Sequence, residues 1–525
     1  MISKIEYQEN QQAGKKGGIM ELNLINRFII PDRELLTEEE SCRLPKILVS
    51  EKLYDGKQRE VYLDDFLARL EFNGAEISAS GSVSWKSEAV KQKAMSVLQG
   101  VNFMRPIVDL YAGLLFGQGI KATSENAEEN TWLNGTGGSD TGFVGYLSKK
   151  LLQGCTGAGI RGDAVFEIWK DKEEEKAQVN VVPAQYWYPI TSEKDYTQVI
   201  ADAVIHQYNL GKEDKKLNRV VVYMKGYNIY FAVETKDNKI LQVVNWNSKI
   251  LGQLPKKIKE AVHEVAEGYQ VPIYIEETGL DFNLIQRAPF RCSDNKVFGI
   301  PIYTDATISQ EKEICIRKTQ HSRIIDKYAD PIITGPRDLM RKTADDQSVS
   351  IRGKYVGLEE GEKIDLVVFS GSLENGRLEM DDCKNNIYRE TRTNEAVLGN
   401  TKEGIAVLSG TAIEKTMMST LNEAGVKKML WSPIISNIIK CAYQLETGKT
   451  MTGVVIEFAN GLPKSRKEVI EELMLSNGNL PIQSQVSSIM EAYPDMSKDD
   501  ALAEIENINK EKQDYEGMAT VPNNF

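Results

Sequence analysis

The chain has 525 residues, 41% hydrophobic and 27% charged, an ordinary balance for a folded soluble protein and too long for one compact core. Its 76 acidic residues against 64 basic give a net charge of −12, which excludes holding nucleic acid by a generally basic surface. An acidic wall can still enclose DNA without gripping it, because it repels phosphate.

Residues 1–20 are polar and rich in Gly, Lys and Gln, and read as a mobile arm with no signal-peptide core. From Glu88 to Gln118 the pattern predicts helix, with Ile107, Leu110, Tyr111, Leu114 and Leu115 on one buried face. Residues 124–140 read as a loop, and helix resumes from Gly142 to Gln153. A β-rich stretch follows. AVFEIW (164–169) and VNVVP (179–183) are strands, VVVYM, IYFAVET and ILQVVNW (220–246) form a meander, and VPIYIEE (271–277) adds another strand.

Asp305 to Tyr328 favours helix but is polar nearly all round; only Ile308, Ile314, Cys315, Ile316, Ile324 and Ile325 could bury. Asp330-Pro331 ends it. A small β-unit of PIITGP and KYVGLEEGEKIDLVVFSG follows, then a second polar helix, Arg377 to Thr393, with a stripe at Met380, Cys383 and Ile387. A Gly-punctuated loop (396–410) leads into a long helix, Thr411 to Leu445, in which Pro433 predicts a kink. The strand GVVIEF (453–458) precedes C-terminal helices, the last opening on Ser497 with Asp500 as a capping box.

No apolar run reaches the roughly 18 residues of a membrane span. Six cysteines lie far apart with no CxxC pair, which fits reduced thiols in a cytoplasmic compartment. GAGIRG (157–162) matches G-x-G-x-x-G, but helix precedes it and strand follows, the reverse of a dinucleotide fingerprint. A helix-to-strand turn is the better use of those glycines. Gly448-Lys449-Thr450 lacks the first glycine of a phosphate-binding loop, since Tyr443 stands there. His206, His263 and His321 have no metal-ligand spacing. No catalytic, cofactor-binding or metal-binding residue emerges, so the chain reads as structural and without a cofactor rather than as an enzyme.

The order polar helix, small β-module, polar helix, Gly-containing loop, kinked long helix resembles the centre of tailed-bacteriophage portal proteins of the siphophage type. SRIIDKYADPIITGP (322–336) looks like a first stem helix entering the clip, CKNNIYRETRT (383–393) like the second stem helix, and LSGTAIEKTMMSTLNEAGVKK (408–428) like the start of the helix beyond a tunnel loop. NFMRPIVDLYAGLLFG (102–117) and GDAVFEIWKD to VVPAQYWYPI (162–190) resemble the portal wing.

That resemblance implies an α+β fold, predominantly α. It divides the chain into an arm (1–20), wing (21–303), stem helix 1 (304–328), clip (329–375), stem helix 2 (376–394), tunnel loop (395–410), kinked helix with a wing strand (411–460) and helical crown (461–525). It implies a ring of copies, typically twelve, at one capsid vertex, assembled in the host cytoplasm and carried in the virion. Double-stranded DNA would pass through the ring during packaging and ejection. The terminase large subunit and then the head–tail adaptor would dock on the clip, and major capsid and scaffolding proteins on the wing, with no membrane partner. Asn400, Thr401, Lys402 and Glu403 would then face DNA at the tunnel loop, and Lys384, Arg389 and Arg392 would lie on the stem beside the channel. Arg337, Arg341, Lys342, Arg352 and Lys354 would form the docking surface of the clip. A ring repeats each charge around its axis, so a single Lys402 per chain becomes a circle of cations that phosphates can slide past. Two rivals stand beside this reading: a soluble nucleotide-binding enzyme using Gly157–Gly162, and another phage minor head protein.

Overall fold

The computed structural model describes residues 27–70, 75–77, 83–135, 142–171, 173–192, 195, 198–209, 215–244, 273–294, 296–329, 333–336, 355–358, 372–398, 410–458, 470, 473–474, 484–493, 496 and 498–519. Contacts divide the chain into a large unit (1–459) and a small one (460–525).

The large unit opens with α1 (Glu38–Tyr54), α2 (Gln58–Val61) and α3 (Leu63–Leu70). Thr37 starts α1 with a reciprocal cap: the Glu40 N–H donates to Thr37 Oγ1 at 3.3 Å while the Glu40 carboxylate accepts from the Thr37 N–H at 2.8 Å. After a short hairpin, β1 (Ala75–Ile77) and β2 (Val83–Trp85), come α4 (Glu88–Val97) and α5 (Met104–Phe116). The single helix expected over 88–118 is thus two, because Leu98 turns extended and Pro106 falls in the first turn of α5. That is where a missing N–H costs nothing; in mid-helix it would cost a hydrogen bond.

Strand β3 (Ile120–Thr123) leads to α6 (Ala127–Asn134), which replaces part of the loop expected at 124–140. Asn126 caps it by accepting from the Glu128 N–H at 2.9 Å, and Trp132 stacks on Phe143 at 4.5 Å, so one polar cap and one aromatic contact fix this turn-rich sequence as helix. Helix α7 (Phe143–Arg161) runs eight residues beyond Gln153. Its glycines permit close approach: a Cβ on Gly154 would sit 2.4 Å from Phe166, and one on Gly159 2.9 Å from Val108.

The β-rich stretch forms two antiparallel sheets. Strand β4 (Asp163–Lys170) is flanked by β5 (Ala177–Val182) and β12 (Ile285–Pro289). The larger sheet runs β6 (Trp187–Thr191), β7 (Val199–Asn209), β8 (Lys215–Met224), β9 (Tyr227–Lys236), with β10 (Lys239–Val244) and β11 (Ile273–Glu277) sharing the outer edge of β9. The expected meander is there, joined by β6 and β7, which the sequence reading left out. Val220 and Val222 pack into one apolar cluster with Phe28 and Leu35, while Val221 and Tyr223 pack into another with Trp187 and Val165. Burial on both faces explains why VVVYM is apolar without alternation.

Then come the two polar helices, α8 (Asp305–Ala329) and α9 (Ser372–Thr391), which pack on each other. Between them β13 (Ile333–Pro336) and β14 (Tyr355–Leu358) pair in parallel. Helix α10 (Gly410–Thr447) carries Pro433 inside it, and β15 (Val455–Phe458) pairs antiparallel with β3. The main core gathers α5, α7, α8, α9 and α10 around Tyr111, Leu147, Phe166, Ile316, Ile387 and Trp431. The fold is α+β with helix dominant, as expected.

In the small unit, α11 (Gln485–Ala492) and α12 (Lys498–Ala519) pack together, with Ser484 capping α11 by accepting from the Ser487 N–H at 3.2 Å. The capping residue expected for α12, Ser497, lies outside the described residues. Among the described residues no helix is long and apolar enough to cross a membrane, and no cluster of His, Cys, Asp and Glu could hold a metal ion.

Candidate functional site

Helix α8 looks too polar to bury, yet Ile314, Cys315 and Ile316 are buried, and so are Thr307, Glu311 and Thr319. Ile325, expected to be available for burial, is exposed. The polar residues lie four apart and meet the extended segment between α4 and α5. Glu311 accepts from the Phe103 N–H at 2.8 Å, Cys315 Sγ from the Val101 N–H at 3.4 Å, and Thr319 Oγ1 from the Gln99 N–H at 3.0 Å. The match is geometric: four helical residues rise ~6 Å and two extended residues span ~6.6 Å. Every alternate N–H of a chain segment that belongs to no sheet therefore finds a side-chain acceptor.

Glu311 also accepts from the Tyr62 hydroxyl at 3.0 Å. Burial raises its pKa from 4.5 to about 7, and the hydrogen bonds from Phe103 and Tyr62 offset that only in part. Helix α9 rests on α8 through Arg317, which reaches Glu379 at 2.8 Å and Glu313 at 3.0 Å, and through Asn386, which donates to Gln310 at 3.4 Å.

At its end, α9 meets α10 over a second buried glutamate. Glu423 Oε1 accepts from Arg291 Nε at 2.8 Å and Lys427 Nζ at 2.9 Å, and Oε2 from Arg392 Nη1 at 2.9 Å. Burial alone would raise the Glu423 pKa, but Lys427 and Arg291 overcome it and lower the value to about 2. Lys427, 1% exposed, also donates to the Phe290 carbonyl at 3.0 Å and sits 3.8 Å from the Phe290 ring centre. Arg392 follows the helix with φ +53, and the Thr393 N–H returns to the Tyr388 carbonyl while the Arg392 N–H returns to Arg389. This is a Schellman closure with arginine in the place glycine usually takes. The Tyr111 hydroxyl fixes it from α5, 2.9 Å from the Thr391 carbonyl and 3.2 Å from that of Arg392.

Of the residues that the resemblance would put on the stem, Arg389 and Arg392 come together. With Asn385, Asn422 and Glu423 they line a cleft of about 560 Å³ between α9 and α10. Lys384 does not line it; its ammonium pairs with Asp381 at 2.8 Å. Asn400, Thr401, Lys402 and Glu403, expected at a tunnel loop, lie outside the described residues, as do Arg337, Arg341, Lys342, Arg352 and Lys354, expected in a clip. Sequence reading missed Glu423, Lys427 and Arg291. A signal was present: Glu423 and Lys427 fall on the same helical face as Thr420, Ala424, Trp431 and Ile435, an ion pair inside an apolar stripe.

The glycines of 157–162 do not form a phosphate loop. Gly157 and Gly159 are buried within α7, and only Gly162, φ +98, makes the turn into β4. Its backbone is already used: the Gly162 carbonyl accepts from the Phe290 N–H at 2.8 Å, and a Cβ would meet the Gly299 oxygen at 2.3 Å. Asp163, next in the chain, is buried between Arg287 at 2.8 Å and Arg43 at 3.5 Å and accepts from the Gly299 N–H. The motif is a packing joint, which removes the basis of the nucleotide-binding rival.

Residues 34–278 match the family described as "Phage portal protein, SPP1 Gp6-like". The sequence resemblance to tailed-phage portals is borne out by that match. No curated protein sequence matches the chain. Solved structures are similar to it as well, two of them each at 9% identity and over 74% of this chain. One is titled "Virion of native gene transfer agent (GTA) particle", covered over 90% of its length with a TM-score of 0.39. The other is titled "Neck of native GTA particle computed with C12 symmetry", covered over 89% with a TM-score of 0.36.

Proposed function

We propose that this chain is a phage portal subunit, a structural protein that closes into a ring with copies of itself and surrounds the passage for double-stranded DNA at one vertex of a viral head. The observation that carries the reading is the portal-family match over residues 34–278. It lies wholly upstream of the helix, β-pair, helix, long-helix succession that resembles the portal centre, so two separate stretches of the chain point the same way. In this reading α8 and α9 are the stem, β13 and β14 belong to the clip, and the loop before α10 approaches DNA with Asn400 to Glu403.

A ring explains why α8 and α9 carry so many charges. Each stem pair has copies of itself on both sides, so polar contacts such as Arg317 to Glu379 hold the pair while leaving its remaining faces hydrated. The clip, with Arg337, Arg341, Lys342, Arg352 and Lys354, would receive the terminase large subunit during packaging and the head–tail adaptor afterwards. The wing would meet capsid and scaffolding proteins.

The test is the mass of the purified full chain by light scattering, with negative-stain images of the same fraction. Rings of about a dozen subunits with a central hole are expected. A monomer at every concentration tried would overturn the reading.

A further inference from the structure

A surface helix ordinarily keeps its charges in water and its apolar residues inside. Helix α10 does the reverse between Met418 and Asn437. Its charged residues there are Glu423, Lys427 and Lys428. Glu423 and Lys427 are 3% and 1% exposed, and Lys428 lies over the Phe458 ring at 5.8 Å. The residues left exposed are Met418, Ser419, Asn422, Gly425, Val426, Met429, Pro433 and Asn437, none of them charged. Met429 is 68% exposed, Met418 58% and Val426 45%. The stripe is roughly 28 Å long at the helical rise. At Gly425 a Cβ would meet nothing within 4 Å, so the face is open as well as smooth.

In a chain with 27% charged residues, an uncharged exposed helix face of this length is not what solvation selects. The stripe also runs into the cleft between α9 and α10, since Ser419, Asn422 and Val426 line both. On the cleft's far wall, Arg389 makes no ion pair among the described residues, and the Arg392 side chain is 65% exposed. The surface therefore asks for a partner that is apolar along the helix and acidic at one end.

We infer that the exposed stripe of α10, Met418 to Met429, with the Arg389 and Arg392 cleft beside it, is the face on which a second copy of this chain docks. This rests on the ring reading above, in which every subunit must offer one face to each neighbour, two different patches meeting head to tail. The charge fits: a second copy carries 76 acidic residues against 64 basic, so Arg389 and Arg392 meet a partner of opposite net sign. Methionines suit the purpose, because their flexible, polarisable side chains fill the irregular gaps between rigid bodies.

The test uses the full chain and three variants, Val426→Glu, Met429→Glu and the conservative Met429→Leu. Mass is read by light scattering, folding by melting temperature, and the accessibility of Met418 and Met429 by hydrogen peroxide oxidation followed by mass spectrometry. Wild type and Met429→Leu are expected to form rings, and both glutamate variants to fall to monomers with unchanged melting of the subunit. Met418 and Met429 should oxidise several-fold more slowly in wild-type rings than in Val426→Glu monomers. Rings that persist in both glutamate variants overturn the assignment and leave the ring reading standing. Free oxidation of Met429 within intact wild-type rings overturns it whatever the variants do. A wild-type chain that never assembles sinks the ring reading itself.

Discussion

Helices α8 and α10 each bury one glutamate almost completely, and the two carboxyls move in opposite directions. Glu311 rises to about 7, while Glu423 falls to about 2. The difference lies largely in what faces each carboxyl. Glu311 is surrounded by an N–H and a hydroxyl, dipoles that satisfy its oxygens without supplying charge, so burial wins. Glu423 is held by three cations, which more than offset the cost of its burial. One site holds a near-neutral hydrogen-bonding group; the other holds a fixed anion that ties α9, α10 and the segment after β12 together.

Replacing each by glutamine separates the two sharply. Glu423→Gln leaves Lys427 buried without its counter-charge, and losing one partner of a buried pair costs about 3–5 kcal/mol. Glu311→Gln keeps a neutral group that can accept from Phe103 and sit beside the Tyr62 hydroxyl, so no comparable loss is expected at pH 6. Chemical denaturation of both variants checks this; equal losses would break the comparison.

The pH dependence follows with opposite signs. Between 4.5 and about 7 the unfolded chain has released the proton that folded Glu311 retains, so its contribution falls as pH rises through that window. Once ionised, the buried carboxylate costs on the order of 3 kcal/mol. Glu423 stabilises fully above 4.5, and its contribution is lost as pH falls toward 2. Melting temperature followed from pH 3 to 9 should therefore be highest near pH 4.5, declining toward pH 3 and also upward to about pH 7, and Glu311→Gln should flatten the upper limb alone. A variant that still declines through pH 7 would reassign that limb to another group.

The rest of the α8 contact can be probed at Thr319. Thr319→Val removes the acceptor of the half-buried Gln99 N–H while keeping the shape, and losing such a hydrogen bond costs about 0.5–1.5 kcal/mol. Thr319→Ser keeps the oxygen and should recover most of the loss. If Val and Ser behave alike, the N–H finds another acceptor and the three-step pairing with residues 99, 101 and 103 is not what holds α8.

Much of this was legible beforehand, and what was not has a common cause. The meander, both polar helices and the long helix announce themselves through periodicity, because each buries a stripe against its own unit. The break at 98–103 was written in Pro106, whose place belongs to a first turn, but the apolar spacing on either side concealed it. Strands β6 and β7 escaped because Pro189 and the polar stretch before Val199 interrupt the alternation. Glu311 and Glu423 could be placed on helix faces from sequence, yet their chemistry depends on Phe103, Tyr62, Arg291 and Arg392, brought in from elsewhere in the chain. The tunnel-loop and clip residues rest on the resemblance alone, and Lys402→Glu, expected to impair DNA packaging, is the direct probe of that loop.

The smallest effect expected is at Arg392, where two contributions oppose. Glycine would relieve the left-handed backbone at φ +53, worth roughly 1–2 kcal/mol for a residue with a Cβ. It would also remove an ion pair whose arginine is mostly in solvent, worth about 0.2–1 kcal/mol, and add the backbone freedom of glycine to the unfolded chain, about 0.5–1 kcal/mol. Arg392→Gly should therefore change stability by no more than about 1 kcal/mol in either direction in denaturant unfolding, although it deletes one of three cations around Glu423. A loss approaching that of Glu423→Gln would mean that Arg392, exposed as it is, holds the anion as firmly as buried Lys427. The distinction between Glu311 and Glu423 would then rest on the number of cations rather than on their burial.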